Sequence, residues 1–180
     1  MGVREGTAAS GLEARHDRQE NDGASDARFQ SADLQCATPA TLHRVHSEGE
    51  ASIGHGAAAG VPVIFSLGAG GKPADIAQDL APAGDEPIVS SGVDKFMGTD
   101  LEKILKEKGI ATVIVVGTAA HGAVVYTASG AAMRGMKVII PVDGVSAETP
   151  YVEQYVTWHL ANVPVISPAM TLTTIDNVKF

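Results

Sequence analysis

The chain has 180 residues, 44% hydrophobic but only 4% aromatic, with twenty glycines and a net charge of −8. That length and apolar content fit one globular domain with a sizeable core, and the scarcity of aromatics favours an Ala/Val/Ile-rich α/β interior over a β-sandwich. The acidic balance, without any Lys/Arg cluster, excludes nucleic acid and anionic membrane as partners, and the single cysteine, Cys36, excludes an intrachain disulfide framework and a Cys-based zinc site.

Residues 1–32 are polar, rich in Gly, Ala, Ser, Asp and Arg, and nearly free of apolar periodicity. They are expected to form a mobile tail ahead of a domain spanning 33–180. The opening residues hold no apolar signal core, and no apolar run reaches the roughly 18 residues of a membrane span. A soluble cytoplasmic protein is the expectation. Residues 39–59 carry a weak helical pattern (Leu42, Val45, Ile53) broken by Gly49, Gly54 and Gly56. No internal repeat is visible.

From Gly60 the signals become regular. VPVIFSL (61–67) is a continuous apolar run after a glycine, the pattern of a strand buried on both faces. PADIAQDL (73–80) reads as a helix and IVSS (88–91) as a second strand. TDLEKILKEKG (99–109) is the best specified helix. Thr99 and Glu102 have the spacing of a capping box, Glu102 and Lys106 pair at i,i+4, Leu101, Ile104 and Leu105 form the apolar stripe, and Gly109 ends it. ATVIVVG (111–117) is the clearest strand, followed by a helix over 120–135 and the strand KVIIPVD (137–143). PYVEQYVTWHLAN (150–162) makes the last helix, with Thr149 as N-cap and Pro150 as first helical residue, and MTLTTID (170–176) the last strand. Strands alternating with helices imply right-handed βαβ units. The fold class is therefore α/β, a three-layer, mostly parallel sheet flanked by helices.

In such sheets ligands bind where the strands end at their carboxyl edges. Two segments should open there: GTAAHGAVVYTA (117–128), which leaves the clearest strand and enters a helix, and SGVDKFMGTDL (91–101), which carries Lys95. The helix beginning near Ala120 offers backbone N–H groups and a positive dipole end, suited to a carboxylate or a developing oxyanion.

Residues 60–180 resemble the isochorismatase-like (cysteine hydrolase) superfamily, through GVPVIFS, VDKFMGTDL, VIVVGTAAHGAVVYTASGAAMRGMKVIIPVDGVSAE and the terminal TLTTID. In that superfamily the strand ends in Gly, and six residues later a cysteine opens the helix, followed by an apolar pair and Thr-Ala. Here Gly117 is followed at that spacing by Ala123, then Val124, Val125, Tyr126, Thr127 and Ala128. The resemblance implies the isochorismatase-like hydrolase fold and matches Lys95 to the lysine of the family's Asp-Lys-Cys triad. It also implies a cis peptide between Thr118 and Ala119, and an oxyanion hole from the N–H groups of Ala119 and Ala123. An alanine methyl can neither ionise nor attack, so the thiolate route is closed at this position. Isochorismatases proper also lack that cysteine and carry an Ala-His pair in the loop, which Ala120-His121 matches. The reaction implied by the resemblance is vinyl-ether hydrolysis without a covalent intermediate. A carboxylic acid protonates the enol-ether carbon, water completes the cleavage, Lys95 orients or polarises the substrate, and Thr118, Ala119, His121 and Ala123 line its pocket. The family's acid lies in an apolar run followed by Asp-x-Gln, echoed here by Asp33-Leu34-Gln35.

Several alternatives stay open at the level of sequence. Asp33 is either that acid or a solvated aspartate of the tail, Lys95 a site group or a surface lysine beside Asp94, and His121 a pocket residue or a packing one. The chain is then either a hydrolase acting on a small carboxylate-bearing metabolite without a cysteine nucleophile, or an inactive relative that keeps the fold to bind or scaffold. No cofactor is implied. His43, His46 and His55 fit no i,i+4 pair and lie in a glycine-broken segment, so no metal site is expected. Tyr151, Tyr155, Trp158 and His159 lie at helical intervals, which suggests core packing first and a homo-oligomer interface second.

Overall fold

The apolar runs become short strands joined by helices. The computed structural model describes residues 28–31, 56, 58–82 and 84–179. Asp33, Cys36, His43, His46 and His55, and most of the 39–59 pattern, lie outside the described residues. Among those described, the strands are β1 (Arg28–Ser31), β2 (Phe65–Leu67), β3 (Ile88–Ser90), β4 (Thr112–Val115), β5 (Gly117–Thr118), β6 (Lys137–Pro141), β7 (Val145–Ser146) and β8 (Met170–Thr173). The α-helices are α1 (Leu101–Glu107), α2 (Val125–Met133) and α3 (Pro150–Asn162).

Every strand pair is parallel. The main sheet has the order β1-β4-β6-β8, while β2 pairs with β3 and β5 with β7. Ile114 stands opposite Ile139, and Ile139 opposite Thr171. Parallel pairing sends the carboxyl ends of paired strands out on one edge, which places the loops after β3 and β5 where a site is expected. The expected α/β class, a parallel sheet flanked by helices, is the one found.

β1 falls in the stretch that the sequence assigns to the tail. RFQS has no apolar run, yet its backbone pairs with β4 from Arg28 opposite Thr112 to Ser31 opposite Val115. A strand at the end of a sheet can be held by its main-chain ladder to a strong neighbour, which apolar periodicity does not register. The main sheet thus includes Arg28–Ser31.

Other differences have equally local causes. The helix expected over 73–80 is two single 3-10 turns, Pro73–Asp75 and Gln78–Leu80, separated by extended backbone at Ile76. The Asp75 carboxylate accepts the Lys72 N–H at 2.8 Å, a local bond that competes with helix propagation. The expected capping box at α1 is not formed. Thr99 Oγ1 accepts the Leu101 N–H at 3.2 Å and donates to the Lys95 carbonyl at 2.5 Å, and Asp100 is the N-cap. Glu102 points instead to Lys106 Nζ at 2.6 Å and Arg134 Nε at 2.9 Å. At α3 the expected cap is present, with Thr149 Oγ1 accepting the Val152 N–H at 3.4 Å.

The Lys106 hydrogen bond, then that of Arg134, holds the Glu102 carboxyl below its ordinary value of 4.5. A depressed carboxyl pKa stabilises the fold above its unfolded value and loses that contribution as pH falls through the folded one. Acid titration of native protein against Glu102→Gln should therefore show converging stabilities below about pH 4.

The core gathers Leu101 and Leu105 of α1, Val113 and Val115 of β4, Val138 and Ile140 of β6, and Val156 and Leu160 of α3. Ile140→Val should cost about 0.5–1.5 kcal/mol in urea unfolding, a methylene-sized cavity at a fully enclosed site. On α3 the core-packing expectation for the aromatics is overturned. Val156 and Leu160, one helical turn apart, face inward, which leaves Tyr151, Tyr155 and Trp158 outside with 76%, 48% and 64% of their surface exposed.

Candidate functional site

The site begins where β4 and β5 end. Gly117 has φ +116°, a backbone conformation that side-chain-bearing residues rarely adopt, and its N–H donates to the Gly144 carbonyl at 2.8 Å. Thr118 Oγ1 donates to the Ser146 carbonyl at 3.2 Å. These bonds tie Gly117 and Thr118 to β7 and to Gly144 just before it. The peptide between Thr118 and Ala119 is cis, the bond implied by the resemblance.

The chain then enters one wide π-helical turn over Ala120–Val124 before α2. The Val124 N–H reaches back five residues to the Ala119 carbonyl at 3.4 Å, and that of Val125 to Ala120. Such turns widen the backbone, and the first N–H groups of any helix lack the intrahelical partners found further on. Within this turn the Gly122 N–H also donates to the Ala119 carbonyl, at 3.0 Å, so the amides on both sides of Ala123 are taken; Ala119, His121 and Ala123 line the opening, where Ala123 presents only a methyl group.

Lys95 enters from the other side, on the loop between β3 and α1. It is 1% exposed. Its Nζ donates to the carbonyls of Leu67 at 2.9 Å and Ser91 at 3.5 Å, at the carboxyl ends of β2 and β3. Its backbone is fixed as well. The Lys95 N–H donates to Thr127 Oγ1 at 3.2 Å, Thr127 Oγ1 donates to the Val93 carbonyl at 3.3 Å, and Thr99 holds the Lys95 carbonyl. Phe96 lies 4.4 Å beneath the Arg134 guanidinium. Gly130 lets this loop approach α2, since a Cβ there would stand 2.9 Å from Asp94 Oδ1 and 3.1 Å from the Phe96 ring.

These elements enclose a cleft of about 420 Å³ whose lining includes Lys95, Thr118, Ala119, His121 and Ala123. Five residues singled out from sequence therefore meet in one place, while Asp33 lies outside the described residues. Sequence reasoning missed Glu148, which lines the same cleft, with its Oε2 3.7 Å from His121 Nδ1. Its signal was position: it comes just after β7, whose two residues are too few for any periodic pattern. It also missed Thr127, whose role depends on a contact with a loop 32 residues earlier in the chain. Among the described residues no group of three or more His, Cys, Asp or Glu is arranged to hold a metal ion, and no helix is long and apolar enough to cross a membrane.

Known proteins share this fold. The Isochorismatase domain family matches residues 49–173. N-carbamoylsarcosine amidase from Arthrobacter sp. is 34% identical over 91 residues, a match covering 50% of this chain; the chain spans only 33% of that relative. Among solved structures, N-carbamoylsarcosine amidase from Thermoplasma acidophilum superposes with a TM-score of 0.71 at 19% identity, over 85% of this chain and 99% of that one. An isochorismatase family protein from Desulfovibrio vulgaris gives 0.74 at 18% identity, over 84% and 96%. A cysteine hydrolase from Pseudomonas syringae gives 0.70 at 18%, over 83% and 89%. At these identities the structural likeness speaks to fold.

Proposed function

Because this chain belongs to the isochorismatase family, we propose that it is a hydrolase of small carboxylate-bearing metabolites that works without a cysteine nucleophile. The observation that supports this most is the convergence of the enclosed Lys95, His121 and the turn around Ala123 on one cleft at the carboxyl edge of the strands. Ala123 supplies only a methyl group, so attack on the substrate falls to water. The positive end of the turn suits a carboxylate or a developing oxyanion, Lys95 orients or polarises the substrate, and Asp33 is the proposed proton donor.

The experiment is hydrolysis of a panel of small enol ethers and amides that carry a carboxylate, with mass spectrometry of products and protein. Turnover without a covalent adduct supports the reading. Absence of turnover by folded protein across the panel would sink it.

Ala123 also favours a second reading, a relative that binds a metabolite without converting it. In that case a thermal-shift screen finds a stabilising carboxylate that is recovered unchanged. We place the protein in the cytoplasm and assign it a homo-oligomeric state through the exposed Tyr151, Tyr155 and Trp158 face of α3. Sedimentation equilibrium of the native chain and Trp158→Glu tests the assembly, and equal monomeric masses would remove it.

A further inference from the structure

Glu148 is the only carboxylate among the described residues that line the cleft. Its backbone is fixed from both sides. The Ala147 N–H donates to Glu153 Oε1 at 3.1 Å, and Thr149 caps α3 through the Val152 N–H at 3.4 Å. The side chain is half exposed and receives no hydrogen bond from any described residue. Its one charged neighbour, His121 Nδ1, stands at 3.7 Å, beyond hydrogen-bond reach, and is a cation only when protonated. The lining also includes Val93, Ala69, Gly92 and Gly122, which carry no charge, and Lys95, whose Nζ donates to the Leu67 and Ser91 carbonyls.

A carboxylate with open acceptor positions on the rim of a largely apolar cleft acts on whatever enters. It repels a second anionic group and attracts a cationic N–H donor, through a charge-assisted hydrogen bond. At the start of the turn, where Ala119 and Ala123 line the same cleft, the positive end of the helix does the opposite, favouring oxygen anions. The two polarities face one cleft.

We infer that Glu148 determines substrate class: the cleft takes small bipolar metabolites that place a carboxylate at the start of that turn and an ammonium group at Glu148. This rests on the proposed function for the carboxylate end alone. Dianionic metabolites are disfavoured by the same group.

The test is an NMR titration of the native chain, Glu148→Gln and Glu148→Lys with β-alanine, 3-hydroxypropionate, succinate and methylammonium. The expected result for the native chain is binding of β-alanine about fivefold tighter than 3-hydroxypropionate, with succinate weakest; the modest factor reflects solvent screening at a half-exposed carboxylate. Glu148→Gln should erase the β-alanine advantage and leave 3-hydroxypropionate within about twofold, while Glu148→Lys should bring succinate to the front. A native chain without preference among the three acids, or a Gln variant that weakens all of them equally, overturns the assignment. Methylammonium that shifts the 147–149 amides of the native chain but not of Glu148→Gln, with no carboxylate probe shifting residues 118–123, supports Glu148 while refuting the carboxylate end of the proposed function.

Discussion

Lys95→Met is expected to give a folded protein whose kcat/KM is lower by about 100-fold to 10,000-fold, the range for losing a positioned polar group that acts on the reacting centre. Methionine matches the length and apolar stem of lysine, so packing around the site is nearly preserved. What disappears is Nζ and its bonds to the Leu67 and Ser91 carbonyls. The Leu67 carbonyl keeps the Ser91 N–H at 3.2 Å; a carbonyl left without any donor costs about 1–3 kcal/mol, and relief from desolvating a buried ammonium offsets part of that. The net change in stability should stay within about 2 kcal/mol, so thermal unfolding separates a folding defect from a catalytic one. Full turnover in this variant would remove Lys95 from the chemistry.

Thr127→Val is the second large effect, and it acts through Lys95. The substitution keeps size and branching but deletes the hydroxyl that accepts the Lys95 N–H and donates to the Val93 carbonyl. Thr127 is 1% exposed, so water cannot replace it. The enclosed Lys95 N–H loses its partner, while the carbonyl of the half-exposed Val93 turns to water, which together should cost roughly 1–3 kcal/mol in denaturant unfolding. The 93–96 loop then loses its register on α2. Amide exchange at Lys95 should accelerate, and kcat should fall more than KM rises, because misplacing an orienting group harms the transition state most. Thr127→Ser keeps the hydroxyl and should restore exchange protection and kcat. A serine variant as impaired as the valine one would mean that the methyl group, and with it simple packing, carries the role.

The legible parts of the sequence were those governed by local rules. Continuous apolar runs gave β4 and β6, Thr149 and Pro150 marked the start of α3, and the Gly117 to Ala123 spacing located the site loop. The illegible parts depend on distant partners. Thr99 has the spacing of a capping box, but the Lys95 carbonyl competes for its hydroxyl, so Glu102 is released to Lys106 and Arg134. β1 exists through its ladder to β4, although RFQS shows no strand pattern. Tyr151, Tyr155 and Trp158 have helical spacing, yet spacing alone does not say which face of α3 turns inward; Val156 and Leu160 decide that by packing against the core.

Glu148 illustrates the same division in the site. Lys95, Thr118, Ala119, His121 and Ala123 sit in segments with recognisable spacing, and the structure brings them to one cleft. Glu148 reaches that cleft because Thr118 and Gly117 bond to the neighbouring strand, a tertiary link between residues about 28 apart in sequence, as the Thr118 to Ser146 bond shows. A carboxylate after a two-residue strand looks like any surface glutamate until that link is known.

The most direct measurement of the central claim, hydrolysis at this cleft without a thiol, is steady-state turnover of the carboxylate-bearing panel by Cys36→Ser beside the native chain, which has no other cysteine. Turnover by the native chain, unchanged within about twofold in Cys36→Ser and unaffected by iodoacetamide, is the predicted result. Loss of activity in the serine variant, an adduct on Cys36 during turnover, or no turnover by either protein would contradict it.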